Sequence, residues 1–497
     1  MAGAAPYVSE SSFDYMVGGI QASFDVSNSG RLILTLAPRI ASLLVIFVAG
    51  VLMDAMPWRL TLASVSVVFV LGAITVGAAS GFPMVLAGQS LVGISGIVLG
   101  IASVALISAT FEGPARAWAF GLWGATAPAS YLVFPIVASW IAALWNWRVV
   151  TLLWVLMGVV LLVSSLRMPD GRTLAAWSGA GLVAPVLAGV VLAGAVTALG
   201  ALDDGPLLWV PCTAAACVAL MALVWIHLRA SGRIPPLDLG VLRGRSGMLL
   251  MFVILLAQTA GTLWYFTRVV FDRVYQVEDT SLAIVIIPVQ AAGILGGWVG
   301  GWMIRRIGAP LAAASALPLA GVASAFPLFV GRSTPLWVVV TSMAIWILTT
   351  MASMVPVTAA FMDRAPHGRE SAASSMRKAL SSVGTTAGGI VASALVFAAL
   401  GTSVSSSLQE RGVPKVHADE VGLVLQDGLR VSDVPDTNPL ATETLRDTLH
   451  SQGPVMLQGK DAAYDIAGVI ALCGNMLAAL LMFFVWRRGC RGSPEAA

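Results

Sequence analysis

The chain is poor in charge. Only 11% of its 497 residues are Asp, Glu, Lys or Arg, and 58% are hydrophobic, whereas soluble globular domains carry roughly 25% charged residues. That balance excludes ordinary water-soluble folding. Cysteine is equally scarce: Cys212, Cys217 and Cys473 sit in apolar runs and Cys490 in a basic tail, which excludes a disulfide framework and gives no metal-ligand spacing. His227, His367, His417 and His450 fall at the ends of apolar runs or in polar breaks. There is no Gly-x-x-x-x-Gly-Lys-Ser/Thr loop, no His-Glu-x-x-His and no nucleophile elbow, so nothing points to ATP drive or to an integral membrane enzyme. No cofactor and no metal are expected. The net charge of +3 singles out no partner, and no nucleic-acid partner is expected.

What the chain has instead is a series of apolar runs of about 20 residues, the length that crosses a ~30 Å hydrocarbon core. Strands of a β-barrel would be alternating segments of about ten residues, a pattern not found here. The fold class is therefore an all-α polytopic membrane protein of 13–14 transmembrane helices in contact with a lipid bilayer. Spans are expected at Arg31 to Met53, 60–79, 83–110, 118–142 and 148–166, closing an N-terminal bundle over 1–166. Two further spans, 175–200 and 207–228, occupy a linking region over 167–228, and a basic, Pro-containing linker covers 229–245. A C-terminal bundle over 246–486 holds spans at 246–270, 280–303, 309–330, 335–361, 371–400 and 463–486, with a cytoplasmic tail at 487–497.

Two places break this regularity. The apolar stretch Ser11 to Phe24 is half a bilayer long and contains Asp14. Either the first helix is short, or the natural start lies upstream of residue 1, the reading favoured here; the segment has no basic flank or cleavage site that would make it a cleavable leader. Residues 401–461 form a polar, acidic insert, far longer than usual connections of about 4–6 residues. Asn438-Pro439 followed by Leu440, Leu445 and Leu449 suggests a capped amphipathic turn within it. The insert is either a solvated loop or a lid or docking element.

Gly50-Val-Leu-Met-Asp54-Ala-Met-Pro-Trp-Arg59 is a polar turn between two apolar runs, and Gly301-Trp-Met-Ile-Arg305-Arg306-Ile-Gly308 repeats its layout in the second half. One such hairpin per half is what a duplicated transporter shows. The first resembles the helix two to helix three signature of the major facilitator superfamily, Gly-x-Leu-x-Asp-Arg-x-Gly-Arg, through Gly50, Leu52, Asp54 and Arg59. Ala55 replaces the usual Arg and Pro57 the usual Gly, while Arg305 takes the acidic position in the second copy. Pro114-Ala-Arg116, Trp145-Asn-Trp147-Arg148 and the run from Ala372 through Arg377, Gly384 and Gly388 resemble further family landmarks. The pair of extra spans between the halves, and the Phe13-Asp14 stretch, resemble the fourteen-helix drug:proton antiporter branch. The resemblance implies two six-helix halves and two extra central helices, with Gly50, Asp54, Arg59, Gly301, Arg305 and Arg306 as a conformational gate.

Other family signatures are altered. The helix-four Arg-x-x-Gln-Gly falls on Gln89-Ser-Leu-Val92-Gly93 and lacks its Arg, and the helix-five glycines fall on Ser130, Phe134, Ala138 and Ser139, leaving Pro135. Lys and Arg accumulate in cytoplasmic loops. Placing the Arg59 turn inside gathers Arg116, Arg167, Arg305, Arg306, Arg364, Arg377, Lys378 and Arg487 on the same side, so the C-terminus is expected in the cytoplasm and the insert outside, in a plasma-membrane protein.

Ionisable groups cost roughly 2.5–3.5 kcal/mol in a span, so each is a functional hypothesis. Asp14 is the acid placed within a helix, and Arg39 lies about one helical turn from its depth across the first hairpin. They are proton-coupling candidates; their pair is either a clamp or a proton-operated switch. Asp465 is the reserve, otherwise an interfacial helix-terminal charge. Gln21, Gln89, Tyr131, Pro135, Gln258, Trp264, Tyr265, Gln290 and Asn475 are candidates for lining a substrate cavity, and each is equally readable as helix-packing glue.

The function this suggests is a secondary active transporter, acting as a monomer, that exports small amphipathic compounds in exchange for protons. The alternatives are an uncoupled carrier or transporter of lipid or cell-envelope precursors, and a non-transporting scaffold or sensor that uses the external insert.

Overall fold

The computed structural model describes residues 2–168 apart from 27, 182–200, 206–229, 240–259 apart from 243, 284–330 and 334–410, the single positions 263 and 415, and 453–492. Those residues contain fourteen α-helices and no strand. The first six are α1 (Ala5–Phe24), α2 (Asn28–Ala55), α3 (Trp58–Gly77), α4 (Phe82–Thr110), α5 (Gly113–Leu144) and α6 (Trp147–Leu166). Then come α7 (Val183–Gly200) and α8 (Pro206–Arg229), followed by α9 (Gly244–Gln258), α10 (Ile287–Ile307), α11 (Ala309–Ser324), α12 (Leu336–Met362), α13 (Glu370–Glu410) and α14 (Gly453–Gly492).

The helices begin where the sequence supplies starts. Proline stands at the first turn of α1, α4, α5, α10 and α11, where its missing N–H costs nothing. The Asn146 side chain caps α6 by accepting from the Arg148 N–H at 3.1 Å. Arg148 in turn donates to the carbonyls of Gly77 and Ala79 at 3.2 and 2.6 Å, satisfying the end of α3. Among the described residues nine helices are long and apolar enough to cross a membrane. Their outer faces expose Leu71, Leu122, Trp140, Leu156, Leu319 and Trp337, as helices solvated by lipid must.

Helix boundaries differ from those read in the sequence at the first helix and around the polar insert. The first helix is Ala5–Phe24 rather than Ser11 to Phe24; twenty residues at 1.5 Å each give about 30 Å. Its polar side chains hid it from a hydropathy reading. Helix reaches into both ends of the polar segment 401–461, because α13 continues to Glu410 and α14 begins at Gly453; the Asn438-Pro439 turn lies outside the described residues. The span expected at 246–270 is described as helix from Gly244 to Gln258, and Trp264 and Tyr265 lie outside the described residues.

The halves meet where α2 and α4 pack on α13 and where α5 packs on α10 and α12. α1 packs on α4, α5 and α6. The indole N–H groups of Trp154 and Trp147 on α6 donate to Ser12 and Ser23 at 2.7 and 2.9 Å, and Trp147 lies where a Cβ on Gly19 would stand. Ser12, Gly19 and Ser23 share one face of α1, which leaves Tyr7, Glu10, Asp14 and Gly18 on the opposite face at helical spacing.

Candidate functional site

That second face of α1 looks towards α13 of the other half. Glu10 is exposed, yet Lys378 of α13, Arg39 of α2, Asp14 and the Tyr131 hydroxyl of α5 are its electrostatic and hydrogen-bonding neighbours. A group surrounded by side chains of three other helices faces an interior cleft rather than the outer surface. The Tyr131 ring stands 6.4 Å from that of Tyr7. Arg39 donates to Thr386 Oγ1 of α13 at 2.7 Å, and the acid whose charge acts on it is Glu10.

This corrects the sequence reading, which took Asp14 as the acid within a helix. Glu10 lies one turn earlier. The missed signal is the stripe Tyr7, Glu10, Asp14, Gly18, Gln21, spaced i, i+3, i+7, i+11, i+14, which marks one polar face of a helix. A Cβ on Gly18 would meet nothing within 4 Å, so the stripe borders open space there. Arg377 and Lys378 are also corrected. They were counted among basic residues marking the cytoplasmic side, but both lie two turns into α13, where Arg377 is only 7% exposed. Its guanidinium lies 5.3 Å above the Trp123 ring of α5.

At one end of the bundle Asp54 is buried, and its carboxylate accepts from the backbone N–H groups of Ser371 and Ala372 at 3.0 and 2.9 Å. These belong to the first turn of α13, whose N–H groups have no partner within the helix. A carboxylate there also meets the positive end of the helix dipole. α2 approaches α13 closely above this cap, because a Cβ on Gly50 would stand 2.5 Å from Ser375 Oγ and 3.0 Å from the Ser371 carbonyl. Ser374 extends the seam by donating to the Ile101 carbonyl of α4 at 2.9 Å. Arg59 is exposed in the first turn of α3.

The second junction is built from glycine. Gly293, Gly297 and Gly301 repeat every fourth residue along α10 and face α5. A Cβ on Gly301 would stand 2.8 Å from Gly121 Cα and 2.9 Å from the Ala117 carbonyl, and one on Gly297 would stand 2.7 Å from the Ala125 nitrogen. Small residues at this spacing let backbones touch. Gly296 and Gly300 do the same towards α12. Arg305 and Arg306 are exposed in the last turn of α10, with Arg306 5.9 Å from the Trp302 ring. At this end Arg116 of α5 pairs with Asp363, just beyond α12, at 3.1 Å. Burial pushes the Asp363 carboxyl up from its ordinary range, and Arg116 opposes the shift.

The remaining cavity candidates divide. Tyr131 belongs to the charged cluster. Gln258 lies on α9 beside Gly384 of α13. Gln21 donates to the Val26 carbonyl at 3.5 Å, at the C-terminal end of α1. Asn475 is buried in α14, donates to the Ala471 carbonyl at 2.9 Å and packs on Gly321; this is helix packing rather than a cavity wall. Pro135 and Gln290 are buried in α5 and α10. Gln89 is buried in α4 with its Nε2 lacking a hydrogen-bond partner. Among the described residues no group of three or more His, Cys, Asp or Glu side chains could hold a metal ion.

Comparison with known proteins places this architecture. The family model of the Major Facilitator Superfamily matches residues 2–389. The Multidrug resistance protein Stp of two Mycobacterium tuberculosis strains is 26% identical over 363 residues, 70% of this chain and 65% of the relative's length. The crystal structure of the human organic anion transporter MFSD10 (TETRAN) superposes with a TM-score of 0.59 at 13% identity, covering 96% of this chain and 97% of the other. The proton:xylose symporter XylE bound to 6-bromo-6-deoxy-D-glucose gives 0.56 at 13% identity, over 97% and 92% of the two chains. A bacterial homologue of the iron transporter ferroportin, in an outward-facing state, gives 0.53 at 10%, over 98% and 97%. At these identities the structural likeness concerns the fold alone. With fourteen helices among the described residues and a family match over most of its length, the chain is a multi-pass membrane protein and belongs to the Major Facilitator Superfamily.

Proposed function

We propose that this transporter exports small amphipathic compounds across the plasma membrane by alternating access, in exchange for protons. The observation that carries the reading is the cluster of Glu10, Arg39, Tyr131 and Lys378, which draws ionisable groups from α1, α2, α5 and α13 into one cleft between the halves. Such groups are costly in a membrane and serve function by default. Protonating Glu10 would cancel its attraction for Arg39 and Lys378, and so loosen the hold of the N-terminal half on α13. Asp14, on the same face, is the second proton acceptor. The similarity to a protein named for multidrug resistance supports the substrate class, although the match spans 65% of that relative's length.

In this reading the Asp54 end is cytoplasmic. Gly50 and Asp54 close it by holding the first turn of α13, and Arg59, Gly301, Arg305 and Arg306 belong to the same gate. The C-terminus is cytoplasmic, the insert lies outside, and the protein acts as a monomer. A second reading, uncoupled transport or transport of a lipid or envelope precursor, is favoured by Gln89, which occupies the place of the family's helix-four Arg.

Transport in proteoliposomes decides between them. Antiport predicts that an outward substrate gradient drives proton uptake and that collapsing the pH gradient stops accumulation. Accumulation indifferent to the pH gradient would favour the uncoupled carrier.

A further inference from the structure

The cleft contains more cationic than anionic charge. Glu10 neighbours Arg39, Lys378 and Asp14, and Arg377 adjoins Lys378. Arg39 is engaged with Thr386, which leaves the two neighbouring cations of α13. Arg377 is more than nine-tenths buried, and its Nε has no hydrogen-bond partner. Its neighbours are the Trp123 ring and Tyr7. Lys378 lies close enough to Arg377 to feel its repulsion, and Glu10 is the acid that offsets it. Buried polar groups in folded proteins are otherwise nearly all paired.

We propose that Arg377 and Lys378 form the binding site for the anionic group of the substrate, a carboxylate or sulfonate on an aromatic or apolar body. The guanidinium offers donors in a planar fork suited to such an oxyanion, and the ammonium supplies the second charge. The anion separates the two cations electrostatically and gives Arg377 the acceptor it lacks. Trp123 under the guanidinium, and the paired rings of Tyr7 and Tyr131, form the aromatic wall for the body of the ligand. The inference rests on the transporter reading and names its substrate class: amphipathic anions rather than lipophilic cations.

The test uses the full chain in nanodiscs and two probes of fixed charge, naphthalene-1-sulfonate and 1-naphthyltrimethylammonium, titrated calorimetrically with empty nanodiscs as the blank. The sulfonate is expected to bind at least about tenfold more tightly than the ammonium, the scale of one charged hydrogen bond. Lys378→Gln should lose about tenfold in sulfonate affinity, and Lys378→Arg should retain it. Arg377→Gln should lose more; should that variant fail to fold, the Lys378 pair still decides. Equal or tighter binding of the ammonium probe, or unchanged sulfonate affinity in Lys378→Gln, would overturn the site. Proteoliposome transport separates the two levels: a carrier that moves the ammonium probe and ignores the sulfonate refutes the anion site alone. Sulfonate binding that depends on Lys378 upholds the site, and if neither probe nor any amphipathic compound is moved, it is the export reading that fails.

Discussion

The two junctions between the halves use opposite chemistry. Where α5 meets α10, glycines bring backbone against backbone, and the charge pair beside it, Arg116 with Asp363, is partly exposed. Where α2 meets α13, a buried carboxylate caps a helix, a glycine admits two serines, and a guanidinium reaches a threonine about 17 Å further along. A junction of van der Waals contacts responds to shape and hardly to charge. A junction of polar contacts responds to protons and anions. In the proposed cycle, control lies at α2 and α13, and α5 and α10 are the bearing against which the halves move.

Substitutions can sharpen or break that contrast. The largest effect is expected from Asp54→Ala, which strips two N–H groups of a charged acceptor worth about 1.5–3 kcal/mol per hydrogen bond. The halves should part at that end by a population shift of about a hundredfold or more, read as labelling of a cysteine placed at Ala372. Unchanged labelling would mean the cap does not hold the junction. Gly301→Leu is expected to come next. It drives a side chain into Gly121 and the Ala117 carbonyl, an overpacking cost of about 1–3 kcal/mol, seen as lower thermal stability without any new pH dependence of transport. A new pH dependence would show that the glycine junction also senses charge.

Thr386→Val removes one hydrogen bond from Arg39 and should shift the pH midpoint of transport while leaving the melting temperature within the range of a loss of about 1–2 kcal/mol. The smallest effect belongs to Asp363→Asn. Its partner Arg116 and its own carboxyl are 24% and 47% exposed, and such pairs contribute about 0–1 kcal/mol. Because burial raises the folded-state carboxyl, its contribution to stability is present at low pH and declines as pH rises through the shifted value. The amide variant should therefore melt close to wild type and lack that decline. A large loss of stability would place a lock where this comparison sees a minor contact.

Much of the architecture was legible because hydropathy and length report directly on spans. Gly50, Asp54 and the repeated Gly301 hairpin announced the duplication from local pattern alone. What Asp54 touches was not legible, since Ser371 lies over three hundred positions away and nothing local announces a distant cap. Glu10 was missed for a different reason. The polar stripe along α1 also lowers its hydropathy, so the helix looked too short and its first acid fell outside it. Arg377 and Lys378 misled in the opposite way: two adjacent cations near a helix start look like a loop signal, and only packing shows that they turn inward.

In the proposed cycle the proton acts through Glu10 on a polar junction between the halves. Comparison of Glu10→Gln with wild type and Asp14→Asn in proteoliposomes, measuring both pH-driven accumulation and gradient-free exchange of the same labelled substrate, tests it most directly. Glu10→Gln is expected to abolish pH-driven accumulation while exchange continues, with Asp14→Asn intermediate. Full pH-driven accumulation in Glu10→Gln would contradict it.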